Sequence, residues 1–523
     1  MTERTRNSLK NIAFGIGGQL LNIVMSFVAR TVLIMTLGDL YAGIAGNFTN
    51  ILMVFSLADL GVGTAIIYAL YKPIAIGDKE RIQALMKLYA KAYIIIGVVI
   101  IALGGALTPF IHLLMKSDEA IPNLRLTFLL FVANTASSYF FSYKGTLITA
   151  NQKNYVVTNV VYLTSIINYI VQVVILLAFR HSSSPSTVYL VTLAIQVFTN
   201  ILQNLITRHL ANKMYPFIKG RNNAVLPKEE KKAIFKNVLS MVNYRVGQVV
   251  LNGTDSIVIS SMIGVIETGI YSNYNLLLTT VKNLLQQVFH AITASVGNLN
   301  ALESEEKKYD TFRMIHFGNF WMFGWASVCF WCMLNPFVNV WIGESRVLDK
   351  FIVLFLVLNF YLLGMRNTLI TFRDTMGIFR QGRFIPLAGA VINIIISIIL
   401  APRLGVLGVF LGTTISIMLT MFWLEPIVLF KHGFKRSVLP YFLRYMVYLI
   451  VTAATAFGVG LLNDVIFGGV SGWGFVILRF LVAAILPNLV FFVIFFKTKE
   501  FKMLYNSVMR VLKRKLKKGD DAQ

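Results

Sequence analysis

Three stretches of this chain carry polar residues at helical spacing inside otherwise apolar sequence. Gln19, Asn22, Ser26 and Arg30 recur every three or four residues. So do Arg245, Gln248, Asn252 and Asp255, and again Asn275, Thr279, Lys282, Gln286 and His290. Such spacing gathers each set on one helical face. The residue types suggest a chemistry. Cations attract a compact anion, amides bind a hydroxyl-rich group, and a carboxylate such as Asp255 or Asp59 can take up H⁺ or Na⁺. An Asp, Lys or Arg at the centre of a membrane span costs about 2.5–3.5 kcal/mol on insertion scales, so these faces must meet protein or water. Together they are expected to line a hydrated cavity.

Each residue also has a plainer role open to it. Arg30 and Arg245 lie about two turns from a span end and could reach the interface with their long stems. Lys282 sits mid-span, beyond reach of either surface. Arg30 and Asp255 fall at similar depth and could form a structural ion pair. Asp59, beside Gly61 and Gly63, is a coupling carboxylate or a helix-end partner for a base. Glu425, before Pro426, reads as structural, and Arg366 and Arg479 have no partner evident in the sequence. His290 reads as a local hydrogen-bonding group. Cys329 and Cys332 form a lone C-x-x-C with no second ligand pair, so they read as small packing residues rather than a zinc site.

The elements that position these faces follow from composition. Of 523 residues, 56% are hydrophobic and only 14% charged, with a formal charge of +25 and a mean hydropathy of +0.70. Soluble domains carry about 25% charged residues. The composition therefore excludes a cytosolic enzyme, a nucleic-acid-binding protein and a disordered chain. Windows of about 20 apolar residues predict an all-α polytopic membrane protein with about fourteen transmembrane helices. They lie near 12–36, 42–70, 91–115, 124–142, 156–179, 187–206 and 237–262, then near 270–293, 315–342, 350–371, 385–401, 405–430, 440–462 and 473–496. No period-2 alternation supports a β-barrel.

Charge sets the orientation. With the N-terminus inside, about 37 of the 48 Lys and Arg residues fall in inner segments. Outer connections hold only Lys116, Arg125, Arg180, Arg346, Lys350 and Arg403, which predicts both termini cytoplasmic. Anionic membrane lipids would attract the inner basic segments, and no nucleic-acid partner is implied. The cations left within spans are Arg30, Arg245, Lys282, Arg366 and Arg479. No Walker A sequence occurs, so an ion gradient, the membrane potential or a downstream reaction must supply energy. No cofactor is expected beyond a coupling ion.

The chain also repeats itself. Gly38, Gly43, Ile44, Asn47 and Phe48 align with Gly264, Gly269, Ile270, Asn273 and Tyr274, each set at an outer turn between two spans. The expected plan has an N-lobe over 1–206, a basic cytoplasmic linker over 207–236 and a C-lobe over 237–430. Two extra helices follow over 431–496, then a basic tail over 497–523. Six spans per half relate the lobes by an axis along the membrane normal.

Specific strings narrow this further. "SLADLGVGTAIIYALYKPIA" (56–75), "YKGTLITANQKNY" (143–155), "TDSIVIS" (254–260), "GIYSNYNLL" (269–277) and "SVGNL" (295–299) resemble the Wzx-type polysaccharide repeat-unit flippases of the MOP exporter superfamily. The likeness covers most of residues 1–400 and weakens in the last four spans. It implies a two-lobe secondary transporter, not an enzyme, in the cytoplasmic membrane of a bacterium. The implied cargo is an oligosaccharide on undecaprenyl pyrophosphate, moved to the outer leaflet by alternating access. Polysaccharide polymerase and glycosyltransferases of the same pathway are implied partners. Lys282, Arg30 and Arg245 would then attract the pyrophosphate, and Asn22, Asn47, Asn252 and Gln286 would supply polar contacts. Asp255 and Asp59 would be the ion-coupling candidates. The closest rival is an ion-coupled multidrug exporter of the same superfamily, which would favour an acidic cavity over this basic one.

Overall fold

The computed structural model describes residues 3–56, 62–117, 121–219, 226–229, 231, 232, 235, 253–378 and 381–520. Among the described residues every regular element is helical. Among the described residues, ten helices are long and apolar enough to cross a membrane. The chain divides into two compact units, Met1–Ser272 and Asn273–Gln523.

In the first unit the main helices are α1 (Glu3–Leu37), α2 (Asp39–Phe55), α3 (Val62–Ile76), α4 (Lys79–Leu107), α5 (Leu124–Ser142), α6 (Gly145–Ala150), α7 (Asn154–Ala178) and α8 (Pro185–Met214). A π-helical turn at Ile259–Ile263 precedes α9 (Val265–Leu302), whose first turns complete this unit. The second unit contains the rest of α9 and α10 (Glu305–Ile342), α11 (Lys350–Met365), α12 (Asn367–Met376), α13 (Ile385–Leu404), α14 (Val406–Leu419) and α15 (Met421–Leu429). It ends with α16 (Leu439–Phe467), α17 (Trp473–Phe495) and α18 (Lys499–Asp520).

Ten of the expected spans therefore appear as apolar helices. The expected spans 124–142 and 270–293 are also helical, as α5 and within α9, though they are not among those ten. The expected spans 42–70 and 237–262 include residues outside those described. Local chemistry starts several helices. The Asp78 carboxylate accepts the Arg81 N–H at 2.9 Å, and Asp349 accepts the Phe351 N–H at 2.7 Å, satisfying donors that have no partner inside the helix.

Two chemistries hold the helices together. Lipid tails are as apolar as leucine, so close packing rather than exclusion from water must join helices in a bilayer. In the second unit, Phe320 stacks on Tyr448 with ring centroids 4.3 Å apart, and Phe317, Phe491 and Phe495 close around them. This cluster locks α10 to α16 and α17. The outward faces of the same helices are bare apolar rows: Leu443, Ile450, Phe457 and Leu461 on α16, and Ile477, Leu481, Ile485, Leu489 and Val493 on α17. Long apolar rows on a helix surface suit contact with lipid.

The sequence repeat has a structural counterpart in the first unit. A Cβ on Gly43 would lie 2.0 Å from the Val265 carbonyl oxygen, and one on Gly269 would lie 2.1 Å from the Asp39 carbonyl oxygen. Val265 is the repeat counterpart of Asp39, so the two contacts are reciprocal. A Cβ on Gly46 would lie 3.2 Å from the Cβ of Ser272, its own counterpart. Equivalent residues that meet each other define a local two-fold relation between α2 and the start of α9. Because the obstructing atoms are backbone, no rotamer change could make room for a side chain. Gly43→Val should lower stability by about 1–3 kcal/mol through overpacking. Thermal unfolding of the purified protein in detergent checks this, and an unchanged melting temperature would contradict the close approach.

Candidate functional site

In the first unit, Arg30 emerges from α1 half-buried. Its guanidinium donates to the Ala42 carbonyl at 3.4 and 3.5 Å and to the Ser272 hydroxyl. Both acceptors flank the glycine contact between α2 and α9. Arg30 thus fastens the place where the repeat copies meet.

Asn47 lies one turn further along α2 and is wholly buried. Its amide nitrogen has Ser260 Oγ at 2.8 Å, Met115 Sδ at 2.9 Å and the Leu114 carbonyl at 3.1 Å. Those acceptors tie α2 to the segment after α4 and to the π-helical turn, which fixes Asn47 within the packing. Asp255 is buried, with the buried Tyr271 near enough for electrostatic interaction. Asn22 is half-buried on α1. Arg245, Asn252 and Asp59 lie outside the described residues.

The second unit contains the cationic centre. Lys282 is half-buried on α9, with Gln286 one turn on and also half-buried. His290, a further turn along, is exposed. Among the described residues Lys282 has no carboxylate within ion-pair distance. Arg366, another cation, is close enough to act on it electrostatically.

Arg366 is paired elsewhere. Its Nε and terminal nitrogen donate to the two Glu425 carboxylate oxygens at 2.8 and 2.7 Å, and both side chains are buried. This is the two-pronged geometry that guanidinium and carboxylate favour. The pair neutralises itself and leaves Lys282 as the net charge of the group. A half-buried ammonium with amides on the same helix face can receive a compact anion and the polar groups attached to it.

Sequence reasoning assigned Glu425 a structural part but did not find its partner. The two residues are 59 positions apart on different helices, so no local spacing could connect them. Asp464, near the end of α16, was likewise missed as the partner of Arg479, 3.9 Å away. His316 was missed too: it is buried among Phe312, Tyr441 and Tyr448. The two cysteines are buried and unbridged, and the Cys329 thiol donates to the Ala483 carbonyl.

Comparison with known proteins shows that the fold is shared. Solved membrane transporters share the fold, among them a multidrug resistance MATE family transporter of the MOP superfamily in an inward-facing conformation. That match has a TM-score of 0.60 at 14% identity, covering 79% of this chain and 96% of the other. The lipid II flippase MurJ in an inward closed conformation matches with a TM-score of 0.65 at 12% identity, covering 92% of this chain and 99% of MurJ. A MOP superfamily transporter from Pyrococcus furiosus, described as having a binding pocket of reversed polarity, matches with a TM-score of 0.53 at 15% identity, covering 83% of this chain and 96% of the other. No protein-family model and no curated protein matches the sequence. The chain has the MOP transporter fold.

Removing one member of the buried pair leaves the other charge stranded. Glu425→Gln should destabilise the protein by about 3–5 kcal/mol, whereas replacing both Arg366 and Glu425 by Met should restore most of that loss. Thermal unfolding of the two variants distinguishes the cases. A double variant no more stable than Glu425→Gln would contradict the pairing.

Proposed function

We propose that this protein is a flippase for undecaprenyl-pyrophosphate-linked oligosaccharides in the cytoplasmic membrane of a bacterium, serving surface polysaccharide synthesis. The observation that carries this reading is Lys282, an ammonium half-buried on a polar helix face with no carboxylate partner among the described residues. A lipid-linked pyrophosphate brings compact negative charge and wet sugars, neither of which crosses hydrocarbon unaided. Lys282 receives the pyrophosphate, joined by Arg30 and Arg245 as the lobes rock around a central cavity. Asn22, Asn252 and Gln286 hydrogen-bond sugar hydroxyls, and Asn47 positions the helix that carries it. The plan has fourteen spans in two lobes of six with two added helices, and both termini are cytoplasmic. Glycosyltransferases and a polymerase act before and after the transport step.

One observation favours a second reading, an ion-coupled multidrug exporter. Asp255 is buried beside Tyr271, a setting in which a carboxylate could bind H⁺ or Na⁺. The net positive charge around Lys282 is poorly suited to the cationic cargo of such pumps. In the flippase reading, Asp255 and Asp59 instead couple an ion gradient to the rocking of the lobes.

Reconstituted vesicles carrying a lipid-linked oligosaccharide separate the readings. Lys282→Ala should reduce flipping by about 100-fold or more, the scale of losing a charged contact worth roughly 3 kcal/mol, while protein level stays normal. Lys282→Arg should retain part of the activity. Undiminished flipping by Lys282→Ala, or extrusion of cationic drugs with no flipping, would overturn the proposal. Asp255→Asn should make transport insensitive to collapse of the proton and sodium gradients. If Asp255→Asn transport still falls when those gradients are collapsed, Asp255 is not the coupling group.

A further inference from the structure

The second unit contains a cavity that the polar stripes do not form. It has a volume of about 630 Å³, within the range of about 300–1,000 Å³ typical of small-molecule pockets. It opens where the end of α10, the start of α11, the end of α16 and the start of α17 come together. The connections at that end, 343–349 and 468–472, carry Arg346 as their one Lys or Arg. The opposite connections are strongly basic, so charge asymmetry puts the mouth on the outer face. Trp341 and Trp473 lie at the same helix ends, as expected of interfacial aromatics.

The lining has an unusual balance. Two carboxylates, Glu344 and Asp464, face two cations, Lys350 and Arg479. Asp464 lies 3.3 Å from Lys350 Nζ and 3.9 Å from Arg479. The cavity therefore has no net charge, and neither an anion nor a cation would find a complementary site. Polar groups are nevertheless abundant. Asn339 and Ser471 line the wall, and Asn463 joins them almost wholly buried, with its Oδ1 accepting no hydrogen bond among the described residues. Pro336 lacks an N–H, so the Cys332 carbonyl one turn earlier has no donor at the usual helical position.

One wall is aromatic. Trp331 and Phe475 both line the cavity. A Cβ on Gly460 would come within 2.7 Å of the Trp331 indole nitrogen, so the absence of a side chain there is what seats the indole. Carboxylates, guanidinium and amides pair with adjacent hydroxyls, while an aromatic face packs against C–H surface. A neutral ligand that is both hydroxyl-rich and flat-faced is a sugar.

We infer that this cavity is an outward-facing binding site for a neutral oligosaccharide. Asp464 and Asn463 serve as acceptors, Arg479 and Lys350 as donors, and Trp331 as the stacking platform. The inference stands on the cavity alone. If the flippase reading holds, its occupant is the carbohydrate part of cargo that has reached the outer leaflet.

Binding can be read without transport. Whole protein in detergent is titrated with maltotriose, cellotriose and chitotriose, using saturation-transfer NMR and calorimetry. At least one of these should bind. Asp464→Asn, close to isosteric, and Val470→Trp, which fills the mouth from an exposed connection, should each weaken that binding by about tenfold or more. Both variants should elute as the unaltered protein does on size exclusion. Failure of all three glycans to bind overturns the inference. So does binding that both variants leave unchanged, or occupancy by inorganic pyrophosphate that Asp464→Asn strengthens. Because the assay involves no translocation, its failure leaves the flippase proposal standing, and loss of flipping in Lys282→Ala leaves this proposal standing.

Discussion

The cost of a charge in hydrocarbon organises this protein. An ionised side chain within a bilayer must be paired, hydrated or committed to a ligand, because isolation in lipid costs several kcal/mol. The cations described within the helices resolve that constraint in different ways. Arg366 is clasped by Glu425. Arg479 reaches the Phe467 carbonyl and stands near Asp464 at a helix end. Arg30 donates to a backbone carbonyl and a hydroxyl where repeat copies meet. Lys282 has Arg366 as its electrostatic neighbour and no carboxylate within ion-pair distance among the described residues. The proposed function reads a lysine left in that setting as a cation held ready for an anion.

The same constraint shapes the scaffold. Polar residues on α9 lower its apolarity below that of its neighbours, so it needs protein or water along one face. Helices with a more apolar surface, α16 and α17, turn apolar rows outward and use interlocked rings to hold α10. Where helix backbones must nearly touch, at Gly43 and Gly269, the chain has no side chains at all. Polar faces, aromatic interlocks and bare glycines answer one question, namely how each surface is satisfied inside a membrane.

Much of this was legible in the sequence because membrane constraints are written locally. Apolar windows located ten helices that the structure contains among the described residues. The Gly38–Phe48 repeat pointed to a real reciprocity: Gly43 and its counterpart Gly269 lie against each other, Gly43 on Val265 and Gly269 on Asp39. Three-and-four spacing correctly grouped Lys282 and Gln286 on one face. Pairing between distant helices was not legible. Glu425 and Arg366 each looked isolated along the chain, and only folding joined them. Asn47 had the composition of a cavity residue, yet its amide is engaged by Leu114, Met115 and Ser260, contacts that no periodicity encodes. The neutral cavity at the ends of α10 and α16 was hidden for a similar reason: its residues come from four helix ends, and no two of its charges share a helical stripe.

Direct binding of a prenyl pyrophosphate tests the central claim, that Lys282 is a receptive cation. Native mass spectrometry of the detergent-solubilised protein would compare the unaltered chain with Lys282→Gln, using a short-chain prenyl pyrophosphate and the corresponding prenol. The account predicts that the unaltered protein retains the pyrophosphate in clear preference to the prenol and that Lys282→Gln loses that preference. Equal retention of the pyrophosphate by both proteins would contradict it.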